Sequence, residues 1–139
     1  MFFGDVVVTM SSILPIDCEG LSVVILDDDP RIRALLKAQL SDFNVTAVFF
    51  DNAFDLLRDF ERHEPSCIFL DLILPQMTGI ECISSLRDKG YAKPAFIFSA
   101  LYDSTLREQS LRAGADDFFL KADFFKDLGS ILMRVREHH

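Results

Sequence analysis

The chain has 139 residues, the length of one ordinary domain, and half of them are hydrophobic, enough for a single filled core. Its net charge of −8 excludes direct nucleic-acid binding, which needs clustered Lys and Arg, and favours a cation or a basic partner surface. No apolar run approaches the roughly 18 residues of a membrane span, and the opening MFFGDVVVTM lacks the basic residues of a secretory signal, so a cytoplasmic protein without a membrane segment is expected.

Residues 1–20 fit no element and are expected to form an N-terminal extension or flexible arm; the domain proper is expected over 21–137, with 138–139 a tag remnant. The first strand is read at 21–26 (LSVVIL). Asp29 before Pro30 starts a helix, PRIRALLKAQL, with Ile32, Leu35, Leu36 and Leu40 on one stripe. A second strand at 44–49 leads to NAFDLLRDFERH, with Phe54, Leu57 and Phe60 at helical spacing. A third, at 66–70, is followed by DLILPQMTG and a helix carrying Ile80, Ile83 and Leu86, stopped at Gly90. The fourth, at 94–98, precedes a weaker helix, STLREQSLRAG. The fifth, at 116–120, runs into a last helix with Phe124, Phe125, Leu128, Ile131, Leu132 and Val135 on its docked face.

Short, mostly unalternating strands between helices predict an α/β fold, a doubly wound parallel sheet covered on both faces. The flavodoxin-like strand order 2-1-3-4-5 is expected for this length. Cys18, Cys67 and Cys82 lack metal-ligand spacing, and Cys67 and Cys82 are expected to be reduced, buried small hydrophobes.

In such sheets ligands bind beyond the carboxyl ends of the strands. The first strand delivers Asp27, Asp28 and Asp29 there, the third Asp71, the fourth Ser99 and Ala100, and the fifth Lys121. Asp29 is accounted for as a helix cap. Asp27, Asp28 and Asp71 remain, and carboxylates brought together need a cation. Oxygen donors without His or Cys point to Mg²⁺ or a similar hard divalent ion. Beside a metal, Asp71 can serve as a nucleophile, while Lys121 adds an ammonium and Ser99 a hydroxyl. That set suits phosphoryl transfer, where positioning and charge neutralisation do most of the catalysis.

Four segments in register, LDDDP with an arginine shortly after, DLILPQMTG, FSA and GADDFFLK, make residues 22–137 resemble the receiver domain of a two-component response regulator. The resemblance implies that Asp71 is the phosphoacceptor, taking its phosphoryl group from a phosphohistidine on a sensor histidine kinase or phosphotransfer protein. It implies that Asp27, Asp28, Asp71 and the backbone carbonyl of Ile73 hold Mg²⁺, and that Lys121 pairs with Asp71 and then with the phosphoryl oxygens. Ser99 and Phe118 match the switch pair. Ser99 would move toward the phosphoryl group, the Phe118 ring would turn into the vacated space, and the surface of the fourth helix, fifth strand and fifth helix would change its partner preference. That surface is also the candidate homodimer face, with an output domain or downstream protein as the further partner. A receiver is a signalling phosphoacceptor that assists its own transfer and autodephosphorylation, not a turnover enzyme.

Two departures stand out. Family members usually carry proline after the lysine, with a cis bond; here Ala122 follows Lys121. A cis bond before a non-proline residue costs about 3 kcal/mol, so a trans bond or a rebuilt helix start is expected. Phe118 also lacks the hydroxyl of the commoner tyrosine. Two other functions compete with the switch. One is a degenerate receiver that binds without phosphorylation, and the other is a haloacid dehalogenase-like phosphohydrolase using the Asp27 and Asp29 spacing.

Overall fold

The structure is a computed structural model, and it describes residues 17–137. The strands are β1 Ser22–Leu26, β2 Thr46–Phe50, β3 Cys67–Asp71, β4 Ala95–Ser99 and β5 Asp117–Leu120. The helices are α1 Pro30–Ser41, α2 Ala53–Asp59, α3 Gly79–Asp88, α4 Ser104–Ala113 and α5 Lys121–Glu137, and a short turn of tighter helix, Phe60–His63, extends α2. All strand pairings are parallel, and the order is β2-β1-β3-β4-β5, as expected from the sequence.

Alternation along each strand divides the core into two layers. Val23 and Ile25 of β1, Cys67 and Phe69 of β3, and Phe96 and Phe98 of β4 pack under α1 and α5. Val24 and Leu26, Ile68 and Leu70, and Ala95 and Ile97 pack against α2, α3 and α4. Each layer excludes water from whole Leu, Ile and Phe side chains, each contributing about 1.5–3 kcal/mol.

Local chemistry sets the helix starts. Asp29 accepts from the Arg31 N–H at the head of α1, with Pro30 in the first turn, and Asn52 and Asp103 cap α2 and α4 in the same way. Thr78 and Glu81 form a reciprocal capping box on α3. The second strand begins two residues later than the apolar run predicts. Asn44 has φ 59° and closes the turn after α1, a backbone state that Asn tolerates and an extended strand does not.

Asp17 and Cys18 lie within the segment 1–20 expected to precede the domain, yet they are packed onto it. Cys18 is fully buried, its N–H donates to the Phe43 carbonyl at 2.8 Å, and Arg136 donates to the Asp17 carbonyl. Residues 1–16 and 138–139, where the rest of the extension and the tag remnant were expected, lie outside the described residues. No described helix is long and apolar enough to cross a membrane.

Candidate functional site

The two-residue period of the strands fixes where the acidic side chains point. Asp27 continues the row of Val23 and Ile25, and Asp71 continues the row of Cys67 and Phe69, so both carboxylates lie on the α1/α5 side of the sheet. Because β1 and β3 are neighbours in parallel register, those rows end side by side. Asp28, one residue on, is exposed. One carboxylate oxygen from each of Asp27, Asp28 and Asp71 lies within 4.8 Å of the others, and this is the acidic cluster found among the described residues.

Lys121 closes the group from the other side. Its Nζ lies 3.0 Å from Asp27 Oδ2 and 3.4 Å from Asp71 Oδ2. Asp27 is completely buried, and its Oδ1 accepts from the Asp29 N–H at 2.8 Å. Its Oδ2 has the ion-pair contact with Lys121 but no properly directed hydrogen bond. A buried carboxylate oxygen left this way is costly, and an additional cation among the three carboxylates would satisfy it. The donor set is all oxygen, which fits Mg²⁺.

Burial and the neighbouring Asp27 charge push the Asp71 carboxyl up to about 6, although the Lys121 ammonium and the Ile73 N–H pull the other way. For Lys121, burial disfavours the charge, but the hydrogen-bonding and charge contributions of Asp27 and Asp71 outweigh it and hold the ammonium above its usual range. Asp71 is therefore a poorly solvated carboxyl group facing the Lys121 ammonium.

Above this group opens a small cavity of about 170 Å³, lined by Asp71, Ile73, Ser99, Leu101, Leu106 and Lys121, among others. Ser99 is buried, and its Oγ accepts from the Leu101 N–H at 3.2 Å. Ile73 and Leu101 stand at the rim, 68% and 74% exposed, as apolar side chains with little to cover them. Phe118 sits outside the charged group. Its ring is buried in the layer under α3 and α4, with Tyr102 tilted against it at 6.2 Å between centroids. All the side chains expected to act thus converge except Phe118, whose expected role needed no contact with the carboxylates.

A family model for the response regulator receiver domain matches residues 23–132. The chain belongs to that family. The receiver is 34% identical over 99 residues to the transcriptional regulatory protein KdpE of Mycobacterium tuberculosis, covering 71% of this chain and 43% of that protein. It is 32% identical over 103 residues to an uncharacterised 14.6 kDa protein of Leptolyngbya boryana, covering 73% of this chain and 79% of that one. Among solved structures, the signal receiver domain of the putative response regulator NarL from Mycobacterium tuberculosis superposes with a TM-score of 0.77 at 24% identity, over 87% of this chain and 99% of that one. The receiver domain of Francisella response regulator 1452 gives a TM-score of 0.79 at 21% identity, over 86% and 98%. The receiver therefore spans less than half the length of its KdpE relative.

Membership in this family sets aside the dehalogenase reading, and so does the position of Asp29. Its carboxylate is held by the Arg31 N–H and guanidinium at 2.9–3.2 Å, at the helix start.

Several residues that shape the site were not singled out for it in the sequence. Gly79 is the first residue of α3, and a Cβ there would stand 2.4 Å from the Asp71 carbonyl oxygen. Only glycine lets that helix approach the end of β3 so closely. Arg33 reaches back along α1 to donate to the Asp27 carbonyl at 2.9 Å, and Phe98 lies beneath Lys121. The cysteines remain thiols outside the site. Cys18, Cys67 and Cys82 are free and buried, and burial pushes the Cys82 thiol up to about 12.

The Ala122 departure has a structural outcome. The described peptide bonds are all trans, and α5 begins at Lys121 itself, directly after β5 ends at Leu120. The helix start is rebuilt around the lysine with no connecting residue.

Proposed function

We propose that this receiver accepts a phosphoryl group on Asp71 from a phosphohistidine of a sensor histidine kinase or phosphotransfer protein, in a Mg²⁺-dependent reaction in the cytoplasm. The observation that carries the reading is the buried, incompletely satisfied carboxylate pair of Asp27 and Asp71 facing one ammonium, with Asp28 at hand. Asp27, Asp28, Asp71 and the Ile73 backbone carbonyl would hold the ion. When bound, Mg²⁺ supplies charge neutralisation between the carboxylates and the phosphoryl oxygens.

The chain's own residues do the rest. An Asp71 carboxylate oxygen forms the new O–P bond as the imidazole N–P bond breaks, and the imidazole nitrogen leaves with the bonding pair. The product is an acyl phosphate. The Lys121 ammonium leaves its place beside Asp71 to meet the phosphoryl oxygens, and the Ser99 hydroxyl donates to another. As Ser99 moves, the space behind it opens to Phe118, and the surface of α4, β5 and α5 shifts between two populations with different partner preferences. That surface serves an output domain, a downstream protein or a second copy of the chain. The protein is a signalling phosphoacceptor rather than a turnover enzyme.

Intact-mass measurement after acetyl phosphate tests this. A gain of one phosphoryl group is expected with Mg²⁺ and not after chelation. A labelled Asp71→Asn variant would place the phosphoryl group on another residue, and no gain in the wild type would favour the phosphorylation-independent binding module instead.

A further inference from the structure

With α5 starting at Lys121, the ammonium-bearing residue occupies the first helical position, where the helix macrodipole is positive and repels it. No proline stiffens the junction. Something else must hold the side chain over the carboxylates, and the geometry beneath it supplies a candidate. Phe98 lies on β4 opposite Asp71 in parallel register, and its carbonyl accepts the Leu72 N–H at 3.2 Å, so its backbone is locked to the end of β3. Its side chain follows Phe96 onto the α1/α5 side, the side that Asp27 and Asp71 also face. The Lys121 Nζ lies 5.2 Å from the centre of the Phe98 ring. An aromatic neighbour of that ring is Phe124, stacked at 4.9 Å and 25°, which belongs to the first turn of α5. Both Phe98 and Phe124 are fully buried.

We propose that Phe98 is a positioning residue for Lys121: its buried ring face forms the floor that holds the ammonium against Asp27 and Asp71, and its stack with Phe124 seats the start of α5 that carries it. The ring face is negative, and it attracts a desolvated ammonium far more strongly than an aliphatic side chain of equal size would. Phe98 touches no reacting atom. It acts through Lys121, so its loss should slow phosphoryl transfer while leaving Asp71 in place.

The kinetic part of this inference rests on the phosphoacceptor reading; the placement of Lys121 does not. The test therefore has two readouts on the full chain. Nuclear magnetic resonance should show the Lys121 Hε protons displaced upfield by the Phe98 ring current. The displacement should vanish in Phe98→Leu and persist in Phe98→Tyr. The rate of phosphorylation by acetyl phosphate at saturating Mg²⁺ should fall roughly fivefold or more in Phe98→Leu, the size expected for losing a desolvated cation–π contact, and recover in Phe98→Tyr. Ring-fluorinated phenylalanine at position 98 keeps the shape while weakening the ring face, so it decides the matter even if the leucine variant does not fold; it should slow the reaction. An unshifted Lys121 signal in the wild type, or a fluorinated protein that reacts at the full rate, would overturn the proposal. A wild type that takes no phosphoryl group yet shows the ring-current shift would sink the phosphoacceptor reading and leave the aromatic floor standing.

Discussion

At the amino end of the sheet, Arg87 donates to the carbonyls of Gly114, Tyr91 and Lys93 at 2.7–3.0 Å and pairs with Asp116 at 3.0 Å. Asp116 in turn accepts the Ala95 N–H at 2.9 Å, at the first residue of β4. At the carboxyl end, Asp27 and Asp71 are more deeply buried than Arg87 and Asp116, but they share one ammonium, and Asp27 Oδ2 lacks a directed donor. Both ends bring charge to where strands meet helices. One pairs every guanidinium donor with an acceptor, and the other is short of positive charge. The first arrangement holds the fold together, and the second leaves interaction energy to be realised by something that arrives later.

The sharpest way to break this comparison is Asp71→Asn. It should remove covalent labelling by acetyl phosphate altogether, read by intact mass. In metal-free buffer near neutral pH it should also raise the melting temperature, because it deletes a charge that burial and Asp27 disfavour. A variant that melted lower there would show the carboxylate to be structural. Arg87→Ala probes the opposite end. Losing several charge-assisted hydrogen bonds to backbone carbonyls should cost about 2–4 kcal/mol in urea unfolding, while the folded variant takes phosphate at the unchanged rate.

These two residues also mark what the sequence made legible. Asp71 was readable because strand ends can be placed from apolar runs, and a carboxylate at such an end has few structural uses. The five strands followed from the same apolar runs, their order from the right-handed crossover rule and the chain length, and the convergence of Asp27, Asp28, Ser99 and Lys121 from their places at strand ends and the receiver resemblance. Arg87 was not readable, since its acceptors are backbone carbonyls as far as 27 residues along the chain and leave no trace in residue type. Gly79 was visible as a glycine, but its reason, the 2.4 Å that a Cβ would leave to the Asp71 carbonyl, exists only once α3 is docked. The aromatic floor under Lys121 was hidden because Phe98 looks like any other core residue in an unalternating strand.

Gly79→Ala therefore links the two kinds of region. The added methyl must displace either α3 or the end of β3, and overpacking of this kind costs about 1–3 kcal/mol. Since the displaced atom belongs to Asp71, the phosphorylation rate should fall along with stability. A loss of stability alone would mean that the helix, not the strand, gives way.

The pH dependence is a smaller effect with a definite sign. Asp71 has a folded-state pKa raised to about 6. Its neutral form is favoured in the folded protein, so its contribution is fully present below the unfolded value of about 4 and is lost as pH rises through 6. The difference between about 4 and about 6 is worth about 3 kcal/mol unscreened, and water reaching the cavity screens it, so metal-free protein should lose roughly 1–2 kcal/mol across that window and Asp71→Asn should flatten the slope. Mg²⁺ requires the ionised carboxylates, so its affinity should rise over the same interval. Denaturant titrations at several pH values, with and without the ion, measure both.

The smallest expected effect lies at the rim. Ile73 and Leu101 are more exposed than most large apolar side chains of the domain, and they border the cavity where an acyl phosphate on Asp71 would sit. An apolar side chain there gains little for the fold, since water still surrounds most of it. With a phosphoryl group on Asp71, such a side chain would deny an attacking water a hydrogen-bonding partner beside the phosphorus. Ile73→Asn restores such a partner without touching the carboxylates or Lys121. The acyl phosphate should then decay a few-fold faster, which is under about 1 kcal/mol of barrier, with the phosphorylation rate and melting temperature nearly unchanged. Intact mass followed over time after removal of acetyl phosphate reads the decay directly. An unchanged lifetime would mean that the charged interior of the site, not its apolar rim, sets how long the acyl phosphate lasts.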